Sequence, residues 1–270
     1  MRKRRRPGLV GLAVAVLGRG RAGAAFASAL SKRGARVRTW SRGSGRPAAA
    51  TIAGADLVLF CVRDDAIGLV AGELAAQWPA GAKPPVALHL SGYHGSGPLR
   101  ALARRGWATG SMHPLVPLTG ARSAADLEGA WFATSGRGAA RTAARRVISG
   151  LRGREFRLDG GEERHHAWHL AVALVANGSV ALFDAALSLA GDAAAPALAS
   201  VLQRIAGRLE EGSRAALTGP VARGEAEVVA GHLALLRGDD ARLYRLLAKR
   251  LLALSDLEPA RRRAIARLLR

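Results

Sequence analysis

The residues best equipped to do chemistry fall in a few short stretches. The first is Gly18-Arg19-Gly20-Arg21-Ala22-Gly23, which follows the apolar run Val14-Ala15-Val16-Leu17 and precedes a helical pattern over residues 22–33. Its glycine spacing is that of a dinucleotide-binding turn, and each glycine has a physical task. The first permits the tight turn, the second lets backbone approach a pyrophosphate, and the third lets helix and strand pack closely. The helix start adds unpaired N–H groups and the positive end of its dipole. Gly18 to Gly23, including Arg19, Arg21 and Ala22, are therefore read as the phosphate seat.

The second stretch concerns which nucleotide. Residues 35–40 alternate as a strand and run into the turn Ser41-Arg42-Gly43-Ser44-Gly45-Arg46-Pro47. An NAD site places a carboxylate about 20 residues past the glycines, on the ribose hydroxyls. No Asp or Glu occurs between Arg19 and Ala55, and Ser41 and Arg42 stand at the strand end instead. A 2′-phosphate wants a cation and no carboxylate there, so the expected cofactor is NADP(H).

Proton chemistry would fall to histidines. Ligands in open α/β sheets bind beyond the carboxyl ends of the strands. That rule selects Val62-Arg63-Asp64, Ser91-Gly92 and Ser111-Met112-His113-Pro114 beside the glycine turn, with Asp64 as a helix N-cap. His113 is expected on a loop facing this crevice, as an acid, base or substrate contact; His89 is expected to be buried within a strand. His165 and His169 are four apart, but no third ligand stands at fitting spacing, and no metal is expected. His169 and Asn177 are eight apart, about 80° around a helix, so both can serve one cleft. Between later helices, Leu217-Thr218-Gly219-Pro220-Val221-Ala222-Arg223-Gly224-Glu225 forms a compact polar turn. There Thr218 and Arg223 are candidates for holding a substrate carboxylate, the latter through its planar fork.

These segments need a frame to position them. Strand patterns over residues 14–17, 35–40, 56–62, 86–90, 107–112, 130–134 and 155–158 alternate with helical patterns, which predicts an α/β, doubly wound, Rossmann-like domain. After Gly160-Gly161 the chain reads as helix almost throughout. The predicted organisation is a disordered basic tail over 1–7, a nucleotide-binding domain over 8–160 and an all-α substrate and dimerisation domain over 161–270.

Composition narrows the partners. The net charge of +21 in 270 residues would suit nucleic acid, but the cations are arginines scattered along the chain and aromatics are only 4%. That pattern argues against stacking on bases. Arg4-Arg5-Arg6 and the apolar stretch after them mimic a twin-arginine leader, yet cleavage after Ala27 would remove the entire phosphate turn. Cys61 is the lone cysteine, read as a small buried hydrophobe in a cytoplasmic protein. Residues 169–189 are long enough to cross a bilayer but carry Asn177, Ser179, Asp184 and Ser188. The expectation is a central helix buried by its own domain and by a second subunit, in a homodimer, with no membrane partner.

Taken together, Leu17 to Arg21, Val62 to Ile67, His89 to Gly92, Ser111 to Leu115, His169 with Asn177, and the turn from Leu217 to Gly224 resemble one family. It joins a Rossmann-like domain to a helical half known as domain of unknown function 2520. That family is similar to the wider group of pyrroline-carboxylate reductases, 6-phosphogluconate-like dehydrogenases and ketopantoate reductases. The resemblance implies an NADP-binding oxidoreductase with a helical dimerisation domain, acting on a small, carboxylated keto or imino metabolite such as ketopantoate. Two positions depart from the pattern: Arg63 stands where many relatives have proline, and Ala173 stands one turn before Asn177, where related reductases carry a lysine acid. A histidine, His169 or His113, would then supply the proton, with Asn177 orienting the substrate. The alternative is a non-catalytic NADP(H) sensor or scaffold, which would need the turn but no acid.

Overall fold

The computed structural model describes residues 8–45 and 47–270. The basic tail 1–7 and Arg46 lie outside the described residues. Contacts divide the chain into two compact units, the first ending at Val175 and the second beginning at Ala176. The division falls inside one helix, whereas the sheet has already ended before Gly160-Gly161.

The first unit alternates strand and helix: β1 (Ala13–Leu17), α1 (Arg21–Lys32), β2 (Arg36–Trp40), α2 (Ala48–Ile52), β3 (Leu57–Phe60), α3 (Asp64–Gln77), β4 (Val86–His89), α4 (Arg100–Ala103), β5 (Thr109–Pro114), β6 (Trp131–Gly136), α5 (Gly138–Gly150) and β7 (Arg154–Arg157). The strands form one sheet in the order β2-β1-β3-β4-β5-β6-β7. All pairs are parallel except β5–β6, which is antiparallel. Parallel strands covered on both faces should be apolar throughout, and β1 and β3 are buried at every position. The chain leaves β1 toward β2 on one side and returns to β3 on the other, so the sheet has its switch point between β1 and β3. Such a point is where an open α/β sheet gathers ligands.

Two apolar layers flank the sheet. One packs α1 and α5 around Phe26, Leu30, Val147 and Phe132; the other packs α2, α3 and α4 around Ile52, Phe60, Ile67 and Leu74. Phe26 meets Phe132 edge-on at 6.5 Å. Each such fully buried side chain contributes roughly 1.5–3 kcal/mol. The short helices α2 and α4 have four or five residues each, too few to show a period in the sequence.

The long helix α6 (Glu162–Ala190) follows. The second unit adds α7 (Ala195–Leu209), α8 (Pro220–Arg223), α9 (Ala226–Leu235), α10 (Gly238–Leu254) and α11 (Pro259–Leu268). Its core is small, built from Val221, Val229, Ala248, Leu252, Ile265 and Leu269.

Three expectations need correction. α6 is not a buried helix: His165 is its only buried residue, and its long apolar stretch is half-buried at positions such as Val172, Phe183 and Leu187 and exposed at the rest. An all-round apolar sequence had suggested a buried helix; here most of those side chains face out. His113 lies inside β5, opposite Ala133 of β6, and not on a loop. The strand runs two residues further than its alternation suggested because β6 continues to pair with it. Asp64 is the first residue of α3 and Arg63 is its N-cap, without a side-chain cap; the Asp64 carboxylate has another partner, described below.

Candidate functional site

The glycine turn stands between β1 and α1, and sterics explain its composition. Gly18 has φ of +117°, and a Cβ there would lie 2.5 Å from the Cys61 carbonyl oxygen. A Cβ on Gly23 would lie 1.9 Å from the Gly18 carbonyl oxygen. Both positions exclude any side chain. Gly20 differs: a Cβ there would meet nothing within 4 Å, so its missing side chain leaves open space against exposed backbone. Gly20 is also the N-cap of α1, with no side-chain cap and no acid in the first turn. The first N–H groups of a helix have no internal acceptor, so an anion seated here would satisfy them. The turn fits a pyrophosphate.

The Gly18 amide donates to the Trp40 carbonyl at 2.8 Å, tying the turn to the end of β2. Ser41 and Arg42 follow directly, and the exposed Arg42 guanidinium makes no hydrogen bond or ion pair among the described residues. On the other side of the switch point, Val62 is half-buried after β3. Cys61 is buried, and burial pushes its thiol well above the ordinary range; it is an inert packing residue, as expected.

Past β4 and β5 the residues draw together. The buried Ser91 donates its hydroxyl to Asp64 Oδ2 at 2.7 Å and accepts the amides of Tyr93 and His94, both at 3.2 Å. Ser91 thus staples the loop after β4 to the start of α3. His89, fully buried, holds the same loop through Nε2 and the Gly95 carbonyl at 2.5 Å. Gly92 lies flat against the His113 ring: a Cβ there would sit 2.6 Å from His113 Cε1. His113 Nδ1 is buried and has no hydrogen-bond partner among the described residues. Burial, reinforced by nearby His169, lowers its pKa from the ordinary 6.5 to about 4. Burial likewise takes His89 to about 4.

The beginning of α6 completes the cluster. The exposed His169 ring lies 6.4 Å from His113 and 5.8 Å, edge-on, from Tyr93. Tyr93 also stacks on His166 at 3.9 Å with an interplanar angle of 12°. His113 and His169, both singled out by sequence, are thereby brought together, and His169 also meets Tyr93, which was not. Glu162 was also missed: its carboxylate accepts the amides of Gly95 at 2.9 Å and Gly97 at 3.2 Å. Burial raises the Glu162 carboxyl, but these amides and His94 outweigh it and hold it below the usual carboxylate range. Beside these residues opens a cavity of about 780 Å³ lined by Asp64, Asp65, Tyr93, His94, Glu162 and His166, among others.

The remaining predicted residues belong to the second unit. Asn177 is exposed on α6, two turns along from His169. Thr218 precedes Gly219, which has φ of +94° and opens the short α8. The Arg223 fork is engaged bidentately by Glu225, at 2.7 and 2.9 Å.

An α/β sheet with this order, followed by helices, defines a Rossmann-like chain with a helical C-terminal half. Residues 130–251 match the family model described as Domain of unknown function (DUF2520). No curated protein matches by sequence. Among solved structures, protein TM1727 from Thermotoga maritima aligns over 90% of this chain and 98% of its own, at 19% identity and a TM-score of 0.65. A reductive aminase from Aspergillus terreus, solved with NADPH and ethyl levulinate, aligns over 88% and 87%, at 19% identity and a TM-score of 0.58. A 3-hydroxyisobutyrate dehydrogenase from Mycobacterium tuberculosis aligns over 95% and 99%, at 17% identity and a TM-score of 0.54. These likenesses establish the shared fold.

Proposed function

We propose that this chain is a cytoplasmic, homodimeric, NADP(H)-dependent oxidoreductase that reduces a small, carboxylated keto or imino metabolite, of which ketopantoate is a fitting example. The observation that carries the reading is the turn from Gly18 to Gly23. Two of its glycines are sterically obligatory, and the third leaves open space at an uncapped helix start. The NADPH held by the reductive aminase of the same fold supports it.

In this reading Gly18 to Gly23, with Arg19, Arg21 and Ala22, seat the pyrophosphate, and Ser41 and Arg42 take the 2′-phosphate. Val62 and Ser91 wall the nicotinamide side. When bound, the cofactor supplies hydride to a carbonyl or imine carbon, and the oxygen or nitrogen left behind then needs a proton. His113, with a pKa of about 4, is neutral at neutral pH and serves as a hydrogen-bonding partner. His169 is the exposed ring of the pair, can exchange its proton with solvent, and is assigned the donor's role. Asn177 orients the substrate. Thr218 and Arg223 bind its carboxylate, which replaces Glu225 on the Arg223 fork.

A second copy of the chain is the proposed cover for the apolar faces of α6 and α7, with neither membrane nor nucleic acid as partner. Exposed there are Leu170, Leu174, Val175, Val180, Leu182 and Leu189 on α6 and Val201, Leu202, Ile205 and Leu209 on α7.

The test is NADPH consumption across a panel of keto acids and imines, repeated with His169→Ala and His113→Ala. Loss of turnover in His169→Ala with intact NADPH binding is expected. Unchanged turnover in both variants would remove the histidine donor. Tight NADPH binding with no turnover on any substrate would favour the sensor alternative.

A further inference from the structure

We propose that His94, Glu162 and His166 form a binding site for a divalent transition metal of the zinc class, open on one side to the adjoining cavity. One ligand atom from each residue can be chosen so that all three lie within 4.8 Å of one another. Two neutral imidazoles and one carboxylate are a ligand set that zinc takes in open, three-ligand sites.

The sequence conceals this arrangement because its parts are far apart. Glu162 and His166 are one helical turn apart on α6 and share a face, but His94 arrives from the loop after β4. The spacing of His165 and His169 had drawn attention to the wrong pair. His165 is instead buried, with Nδ1 on the Gly161 carbonyl at 3.1 Å.

Several features hold the three groups ready. The Gly95 and Gly97 amides fix the Glu162 carboxylate, as outer hydrogen bonds fix metal ligands elsewhere. A Cβ on Gly97 would lie 2.8 Å, and one on Gly95 3.0 Å, from Glu162 Oε1, so a side chain at either position would push the carboxylate aside. Stacking on Tyr93 sets the plane of His166. His94 Nδ1 stands 3.9 Å from Glu162 Oε2, too far for a hydrogen bond. Ligands bound to zinc at about 2.0–2.2 Å stand roughly 3.4 Å apart in a tetrahedron. Side-chain rotation must therefore close that edge by about 0.5 Å.

The surroundings also suit a cation. The chain carries only 20 acidic residues against 41 lysines and arginines, yet Asp64, Asp65 and Glu162 all line this one cavity; among the described residues Arg100 is the one Lys or Arg on its wall, and Arg63 pairs with Asp65 at 3.1 Å. A metal held by three protein ligands keeps a fourth position, here facing the cavity. The ligand class for that position is a small molecule with a carboxylate or carbonyl oxygen. The inference does not depend on the nucleotide reading, since none of its residues belongs to the glycine turn.

The probe is zinc alone, titrated by calorimetry into the full chain after chelator treatment and dialysis, with Co(II) absorption as the report on geometry. One metal per chain is expected, with low-symmetry Co(II) bands. His94→Ala and His166→Ala should each weaken binding by more than the roughly 10- to 100-fold that loss of an outer partner costs. Glu162→Gln keeps an oxygen for one of the two loop amides while removing the charge, so reduced affinity with an unchanged circular dichroism spectrum separates a lost ligand from a lost loop. Absence of saturable binding at micromolar zinc would overturn the proposal. So would full affinity in the folded His94→Ala/His166→Ala double variant.

Discussion

The two units close their cores in different ways. The sheet unit buries large side chains on both faces, from Phe26 and Phe132 on one to Phe60 and Leu74 on the other. The helical unit has a six-residue core and leaves Val201, Leu202, Ile205, Leu209, Leu246 and Leu251 in the open. Large exposed apolar patches mark sites of interaction with another protein or a membrane. The difference teaches that the first unit holds its glycine turn on a core of its own, whereas the second leaves apolar side chains exposed, the face that we propose a second copy covers.

The largest expected effect lies in the sheet unit. Gly23→Ala forces a methyl group into the Gly18 carbonyl, 1.9 Å away, and backbone on both sides cannot swing clear. Thermal and denaturant unfolding should show a loss of about 4 kcal/mol or more, with NADPH binding abolished. A stable, NADPH-binding Gly23→Ala variant would break the claim that this turn is sterically fixed.

Next comes pH. His89 and His113 are held at about 4 against an ordinary 6.5. Between these values the unfolded chain binds protons that the folded chain refuses, so stability falls as pH drops from about 6.5 toward 4 and is complete above that window. For the fully buried His89 the loss amounts to at most about 3 kcal/mol. Melting curves at pH 7 and pH 4.5 read it directly. His89→Gln, which keeps a donor for the Gly95 carbonyl, should flatten the slope.

The helical unit makes the converse prediction. Ile205→Glu paired with Leu202→Glu places charge on the exposed face of α7, and light scattering should show a dimer becoming a monomer at micromolar concentration while the melting temperature of the sheet unit stays put. Smallest of all is Arg223→Ala. Its pair with Glu225 is solvent-exposed, and such pairs contribute little to stability. Melting should barely move, whereas KM for a carboxylated substrate should rise about tenfold or more.

What could be read from the sequence follows from range. The glycine turn is local: strand, three glycines and helix start lie within a dozen residues, and the structure adds only the reasons in sterics. β1 and β3 were legible because buried parallel strands write themselves as short apolar runs, and the largely exposed β2 through its alternation. The cluster around Tyr93 was half legible. His113 and His169 stood out by type, but Tyr93, His94, Glu162 and His166 meet only because Ser91 and Glu162 pin the loop after β4. Nothing in their spacing announces that contact. The exposure of α6 was hidden for another reason: an apolar helix has the same sequence whether its own chain or another covers it.

The central claim is nucleotide binding at the turn from Gly18 to Gly23 with Arg42 on the 2′-phosphate. Fluorescence titration of the purified chain with NADPH and NADH, beside Arg42→Glu, tests it most directly. The account predicts tighter binding of NADPH than NADH, by about 10- to 100-fold, and a preference that moves toward NADH in the variant. Binding of neither nucleotide by the folded protein would contradict it, leaving the glycine turn as a tight turn only.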